Sequence, residues 1–430
     1  MKKVLLIAYY WPPAGGIAVR RWLGLANAWA EDGVEVHVLT IDPECAEYLQ
    51  SDASLLSEVN GNIWVHHVRA FNPFVWVKRL FPKSIPGAAF SEDKSSGFKG
   101  RLLTVVRSHL FIPDPRRTWV RKAIRYGGEL IRSHSITTVV TTSPPPSVHL
   151  IGQGIKALHP EVQWLADFRD PWTDIFYYDR LGHSPVSRAI DRAMERKVLE
   201  RADLVSTVSW GFRDLLSEKL SVVHQGKFHV LTNGMDFEPA ERQVAPSAEG
   251  LIRIVYTGTL APSYSVEPVL DALTAISQLP NQKDVVLDFY GAISGEYQQA
   301  LQSAYPFIQF HGFVEQKVVR EAQQQADVLF LLGPDVTKST GHIPGKLFEY
   351  LGAMRPIAFL GHPSDDVTRI LEETGAGVCL PRTDNAAILS NLEKLITGSD
   401  AAQAPTGIDP EALAPYLRRN QANRLLEILG

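Results

Sequence analysis

A chain of 430 residues is too long for one ordinary hydrophobic core and predicts two domains. Its 45% hydrophobic and 21% charged residues are globular proportions, and a net charge of −4 argues against a nucleic-acid partner. Cys45 and Cys379 lie far apart without metal-type spacing, which points to neither a disulfide scaffold nor a zinc site and fits a reducing, cytoplasmic setting; no stretch reaches the ~18–20 apolar residues of a membrane span.

In chain order, Val4 to Tyr9 is a continuous apolar run, the pattern of a central parallel strand covered on both faces. Lys2 and Lys3 before it look like the start of a signal peptide. The apolar run is short, however, ends in Trp11-Pro12-Pro13 and has no small-residue cleavage site, so a buried first strand is the better reading. Gly15-Gly16 then opens a helix running to about Asp32, with Trp22, Leu23, Leu25, Ala26 and Trp29 on its buried side. Gly33 ends it, and Val34 to Leu39 returns as a second strand. The glycine pair sits at a strand's carboxyl end, where ligands bind in open α/β sheets, and Arg20 and Arg21 follow at the helix start, placed to face an anionic substrate. The alternative is a tight turn that merely needs glycine.

Residues 71–90 interleave Phe71, Phe74, Trp76, Leu80 and Phe81 with Lys78, Arg79 and Lys83. Such a segment serves as a peripheral contact with an anionic membrane surface, or packs on the domain as a helical flap with its charges solvated. A helix is expected over 116–133. The β-branched strand Thr137 to Thr142 runs into the rigid loop Ser143-Pro144-Pro145-Pro146-Ser147. The strand Gln163 to Ala166 ends in Asp167-Phe168-Arg169-Asp170-Pro171-Trp172, a cluster of charges that is costly unless paired or used for binding. Arg169 and Asp170 are therefore candidates for acceptor recognition, general-base assistance or transition-state support, with an internal Arg–Asp pair as the alternative. A solvated helix over 186–201, a strand over 203–209 and a short strand ending in Asn233-Gly234 follow. The Pro- and Ala-containing piece 237–250 reads as a linker.

The second half opens again with a strand, Leu251 to Tyr256, and a glycine loop, Thr257-Gly258-Thr259, before a helix over 266–279. Strands are expected at 285–290, 308–314 and 326–332. Residues 339–361 then pass from a polar loop into a short amphipathic helix and the strand Ile357 to Leu360. The helix start at Pro344-Gly345 can present backbone donors to an anion. Lys346 and Glu349, three residues apart, project from one side of it as a cation for phosphate and a carboxylate for sugar hydroxyls. A strand at 377–380, a helix over 384–396, a tether and a terminal helix complete the chain. The alternation predicts an α/β fold of two Rossmann-like sheets facing across a cleft. The expected parts are an N-terminal domain 1–236, a linker 237–250, a C-terminal domain 251–410 and a terminal helix 411–430 returning to the first domain.

The ordered set of motifs resembles the retaining family 4 glycosyltransferases of GT-B fold, in particular members that build bacterial surface polysaccharides. It comprises the first strand with Pro12-Pro13-Ala14-Gly15-Gly16-Ile17-Ala18-Val19-Arg20-Arg21, then Asn233-Gly234-Met235-Asp236, Tyr256-Thr257-Gly258-Thr259-Leu260, Ala326-Asp327-Val328 and Pro344-Gly345-Lys346-Leu347-Phe348-Glu349-Tyr350-Leu351. The resemblance covers nearly the whole chain. It implies that Glu349 is the second glutamate of an E-x7-E motif and holds the donor ribose, that Lys346 meets the diphosphate or sugar, that Gly258 and Thr259 form the donor-phosphate loop, and that Gly15 and Gly16 close over the diphosphate. Gly341 stands where the first glutamate of that motif is expected, with His342 beside it. Ala261-Pro262-Ser263 replaces the family's basic residues, and Ser143 or Arg169 stands in for a strand-end histidine. No Asp-x-Asp pair of the kind that holds a divalent ion is present, so neither a metal nor a cofactor is expected. The expected activity is sugar transfer from a UDP- or GDP-sugar to a lipid-linked or glycan acceptor. A nucleotide-sugar 2-epimerase and a catalytically degenerate binding protein are the alternatives.

Overall fold

Apolar residues run unbroken through β1 (Lys3–Ala8) because both faces of this strand are covered. The period of two sends Val4 and Leu6 to the face packed by α1 (Ile17–Glu31), and Leu5 and Ile7 to the face packed by α2 (Val120–His134) and α3 (Ser147–Leu158). The computed structural model describes residues 2–46, 48, 50–71, 111–176, 178–221, 226–235, 250–279, 284–333, 341–397 and 408–430. These form two units, Met1–Thr232 with Arg418–Gly430, and Asn233–Leu417.

The first unit holds a parallel seven-stranded sheet in the order β3-β2-β1-β4-β5-β6-β7. Besides β1 its strands are β2 (Glu35–Ile41), β3 (Ile63–Val68), β4 (Thr138–Ser143), β5 (Gln163–Phe168), β6 (Leu204–Thr207) and β7 (Phe228–Val230). The order reverses between β1 and β4, and this switch point opens a crevice at the carboxyl ends of both strands. Helix α1 stops in a Schellman turn at Gly33: the Gly33 N–H donates to Ala30 O and the Val34 N–H to Trp29 O. Two further helices, α4 (Pro185–Arg201) and α5 (Trp210–Ser217), start under serine caps, Ser184 and Ser209. The helix expected over 116–133 begins later, because Pro115–Trp119 winds as a 3₁₀ turn before α2.

The second unit holds a parallel six-stranded sheet, β10-β9-β8-β11-β12-β13. The strands are β8 (Leu251–Thr257), β9 (Asp284–Tyr290), β10 (Ile308–Gly312), β11 (Val328–Leu332), β12 (Ile357–Gly361) and β13 (Gly377–Pro381). Its helices are α6 (Glu267–Ser277), α7 (Gly295–Ala304), α8 (Gln316–Gln325), α9 (Lys346–Gly352), α10 (Asp366–Thr374), α11 (Asn385–Thr397) and α12 (Pro410–Leu413). The chain then re-enters the first unit as α13 (Arg418–Ile428), whose Ala422 and Leu425 pack beside α1; the Trp29 indole N–H donates to Ala422 O at 3.0 Å. The division therefore falls at 232/233 and 417/418, so Asn233-Gly234-Met235 belongs to the second unit. Of the membrane-facing candidate 71–90, only the exposed Phe71 is among the described residues, and most of the linker 237–250 lies outside them. Among the described residues no helix is long and apolar enough to cross a membrane.

Candidate active site

In the second unit the strand order reverses between β8 and β11, and the residues expected to hold a nucleotide-sugar gather at that point. Strand β8 ends in Thr257, and Gly258 takes φ +126, which an L side chain rarely adopts. This turn lets Lys346, the first residue of α9, lay its side chain across the glycine; a Cβ on Gly258 would overlap the Lys346 ammonium. The Lys346 Nζ donates to the Tyr256 hydroxyl at 3.3 Å and stands 4.8 Å from the centre of that ring. The Tyr256 hydroxyl in turn donates to Thr259 O at 2.8 Å, so the loop and the cation hold each other in place. Loss of water pushes the Lys346 ammonium down to about 8, partly opposed by Glu349.

Glu349 follows one helical turn later, on the exposed side of α9. Crowding by protein raises its carboxyl above the usual range, while the Gln323 amide, Lys346 and Arg320 act in the opposite direction. Gln323 is buried, and its amide also donates to Thr257 Oγ1 at 3.3 Å; the Thr257 N–H donates to the buried Tyr350 hydroxyl at 2.9 Å. Glu349 is thus wired back to the end of β8. Gln323 was not singled out in the sequence, because an amide in the polar helix α8 carries no local signal, and Tyr256 and Tyr350 stand in the quoted motifs without a role that their spacing assigns. Gly345 caps α9 in helical geometry, without a side-chain cap. Gly341 is buried at φ +80, so the carboxylate of the first motif glutamate has no counterpart at that position.

In the first unit, Gly15 and Gly16 lie beyond β1, at that sheet's own switch point. The Gly15 N–H donates to Gln50 O at 2.9 Å, and Gly16, at φ +102, begins α1. The expectation that Arg20 and Arg21 both face an anionic substrate needs correction. Arg20 leans on Asp52 at 3.4 Å and Glu58 at 3.7 Å. Arg21 is wholly buried and grips Asp167 with two nitrogens, at 2.7 and 3.1 Å. Asp167 also accepts from Trp22, Thr142 and Ser206, so it serves as the structural hub of β5. Arg169 and Asp170, just past β5, remain half-buried and pair with each other at 3.0 Å. Arg116, unremarked in the sequence, lies over the rings of Tyr9 and Tyr10 at 5.5 and 5.7 Å, adding a cation at the carboxyl end of β1.

A family model described as a glycosyl transferase 4-like domain matches residues 15–234. A search of curated proteins finds no sequence match. Among solved structures, sucrose-phosphate synthase from Thermosynechococcus elongatus aligns over 100% of this chain and 98% of its own, with a TM-score of 0.59 and 14% identity. The lipopolysaccharide outer core galactosyltransferase WaaB covers 99% of both chains, with a TM-score of 0.59 and 12% identity. TarM covers 100% of this chain and 99% of its own, with a TM-score of 0.63 and 9% identity. At such identities the likeness is one of fold, the GT-B arrangement of two parallel α/β sheets. With the family match extending over more than half of its length, the chain belongs to the glycosyl transferase 4-like family and is a glycosyltransferase.

Proposed function

We propose that the enzyme moves a sugar, with retention, from a UDP- or GDP-sugar to a lipid-linked or glycan acceptor in surface polysaccharide synthesis. The observation that carries the donor assignment is the placement of Lys346 across Gly258 at the β8/β11 switch point, with Glu349 one turn away. In this reading the Lys346 ammonium and the open backbone at Gly258 and Thr259 take the diphosphate, and the Glu349 carboxylate takes the ribose hydroxyls. Stabilising the leaving diphosphate is then the main catalytic contribution, since Gly341 offers no carboxylate to the transferred sugar. Arg169 and Asp170 are assigned to the acceptor, because they are half-buried charges at the carboxyl end of β5. The surface-polysaccharide role is supported by the sequence motifs and by a fold shared with a lipopolysaccharide galactosyltransferase.

The test is calorimetric binding of UDP and GDP to the purified chain. Glu349→Ala is expected to abolish binding of the preferred nucleotide, and unchanged affinity would remove the ribose assignment. Incubation with UDP-N-acetylglucosamine in the absence of any acceptor separates the epimerase reading, because only an epimerase converts the donor to its 2-epimer unaided.

A further inference from the structure

At the opposite edge of the first sheet, the amino-terminal ends of β1 and β2, a second group of polar side chains meets. Glu35 and His37 are two apart in β2, so both project to the face covered by α2, and His134 is the last residue of that helix. The His37 Nε2 lies 3.1 Å from Glu35 Oε1, the His134 Nδ1 lies 4.0 Å from the same oxygen, and one ligand atom from each residue stands within 4.8 Å of the other two. Ligand atoms at ~2.0–2.1 Å from a tetrahedral ion are separated by about 3.4 Å. The three side chains thus need to close by little more than an ångström. We propose that Glu35, His37 and His134 form a zinc site, with the fourth position open to solvent beside His134.

The surroundings are those a metal-binding imidazole requires. The His37 Nδ1 lies 3.0 Å from His66 Nε2, and His66 Nδ1 lies 3.5 Å from the Tyr126 hydroxyl. Without an ion this relay is satisfied in one direction: Tyr126 donates to His66, His66 to His37, and the His37 Nε2–H to Glu35. An ion at His37 Nε2 takes the place of that proton, which moves to Nδ1 and is donated to His66. The His66 proton moves to its own Nδ1 and is donated to Tyr126. The number of protons is unchanged and every group keeps a partner, so the outer partners fix the tautomer that ligation needs.

Lys3 holds the frame. Its ammonium binds the other Glu35 oxygen at 3.1 Å and donates to His134 O at 2.8 Å, tying the carboxylate to the end of α2. Two imidazoles with one carboxylate suit zinc rather than calcium or magnesium, which prefer all-oxygen shells. The His134 side chain is 40% exposed and offers the entry path. Residues 35, 37 and 134 share no short motif, so the cluster exists only once α2 has packed on the sheet.

The experiment is calorimetric titration of the chelator-stripped full chain with zinc chloride, with cobalt(II) absorption as a geometric readout. One ion per chain is expected. Glu35→Gln and His134→Ala should each weaken binding at least tenfold, and His66→Phe, which removes the relay partner, by about tenfold. His134 lies at a half-exposed helix end, so its variant should fold, as circular dichroism without zinc will show. UDP or GDP affinity should be unaltered in all three variants, which separates this site from the donor site. Absence of saturable zinc binding by the stripped wild type, or equal binding by His134→Ala, overturns the proposal.

Discussion

The Lys346 ammonium occupies the space that a side chain on Gly258 would need. The two residues are 88 positions apart in the sequence, yet each sets the other's identity: the cation lies low over the β8 loop only because that loop carries no Cβ. Gly258→Ala is therefore expected to displace Lys346 and to strain a backbone at φ +126, at a cost of about 1–3 kcal/mol. Nucleoside diphosphate affinity should fall at least tenfold. Urea denaturation and calorimetry with UDP or GDP measure the two effects separately.

The lowered Lys346 value gives a pH signature with a definite sign. The folded group titrates at about 8 and the unfolded one at 10.5. Between those values the unfolded chain holds a proton that the folded chain has released, so this group makes stability rise with pH across that window. Below pH 8 both forms are charged and the full burial cost, about 3 kcal/mol, applies. The difference in unfolding free energy between wild type and Lys346→Met should accordingly narrow from pH 8 to 10.5. On the proposed donor assignment diphosphate binding runs the other way: it uses the ammonium, so wild-type affinity should be flat below pH 8 and drop about tenfold per unit above it. Calorimetry over that range checks this, with Lys346→Met expected to bind weakly and without slope.

Much of this site was legible because its signals are local. An apolar run ending in Thr257-Gly258-Thr259 marks a buried strand followed by a glycine turn, and Lys346 and Glu349 at three-residue spacing share a helix side. What was not legible depends on packing. Arg20 and Arg21 are adjacent on α1, about 100° apart around its axis, and nothing local says that Arg21 turns inward to Asp167 while Arg20 stays at the surface. The contact of Gly291 with the Gly258 carbonyl, which leaves no room for a side chain, likewise exists only after β8 and β9 pair.

Gln323 tests the wiring behind Glu349. It is 2% exposed, and its amide serves both the Glu349 carboxylate and Thr257 Oγ1. Gln323→Leu keeps the volume but removes the amide from both acceptors; Thr257 Oγ1 retains the Tyr350 hydroxyl at 3.2 Å and Glu349 is at the exposed side of α9, so the loss should be about 1 kcal/mol. It should also raise the Glu349 carboxyl further, since the hydrogen bond that favours its charged form is gone. Nucleotide affinity is expected to weaken by less than in Glu349→Ala, and more at pH 5 than at pH 8. Equal loss at both pH values would show that the amide does not act through the carboxylate.

The two neighbouring arginines of α1 should differ sharply in what they contribute to stability. Burial works to raise the Asp167 carboxyl, but the charge and hydrogen bonds of Arg21, with Ser206 and Thr142, outweigh it and hold the group below the usual range. A depressed carboxyl contributes stability that is present above its unfolded value and is lost as pH falls, so this pair should be a main point of failure in acid. Removing one partner strands the other: Arg21→Met leaves a buried carboxylate facing Trp22, Thr142 and Ser206 alone, and should cost about 3–5 kcal/mol. Arg21→Met with Asp167→Leu removes both charges and should recover part of that loss, giving a coupling energy of the same order in a double-mutant cycle. Arg20 is 42% exposed and, among the described residues, pairs with the carboxylates of Asp52 and Glu58, so Arg20→Ala should change stability by no more than about 1 kcal/mol. Urea unfolding of Arg21→Met, Asp167→Leu, the double variant and Arg20→Ala at pH 7 measures all these terms, and a small loss in Arg21→Met would mean that the buried network tolerates a lone carboxylate, against the geometry of the Arg21–Asp167 pair.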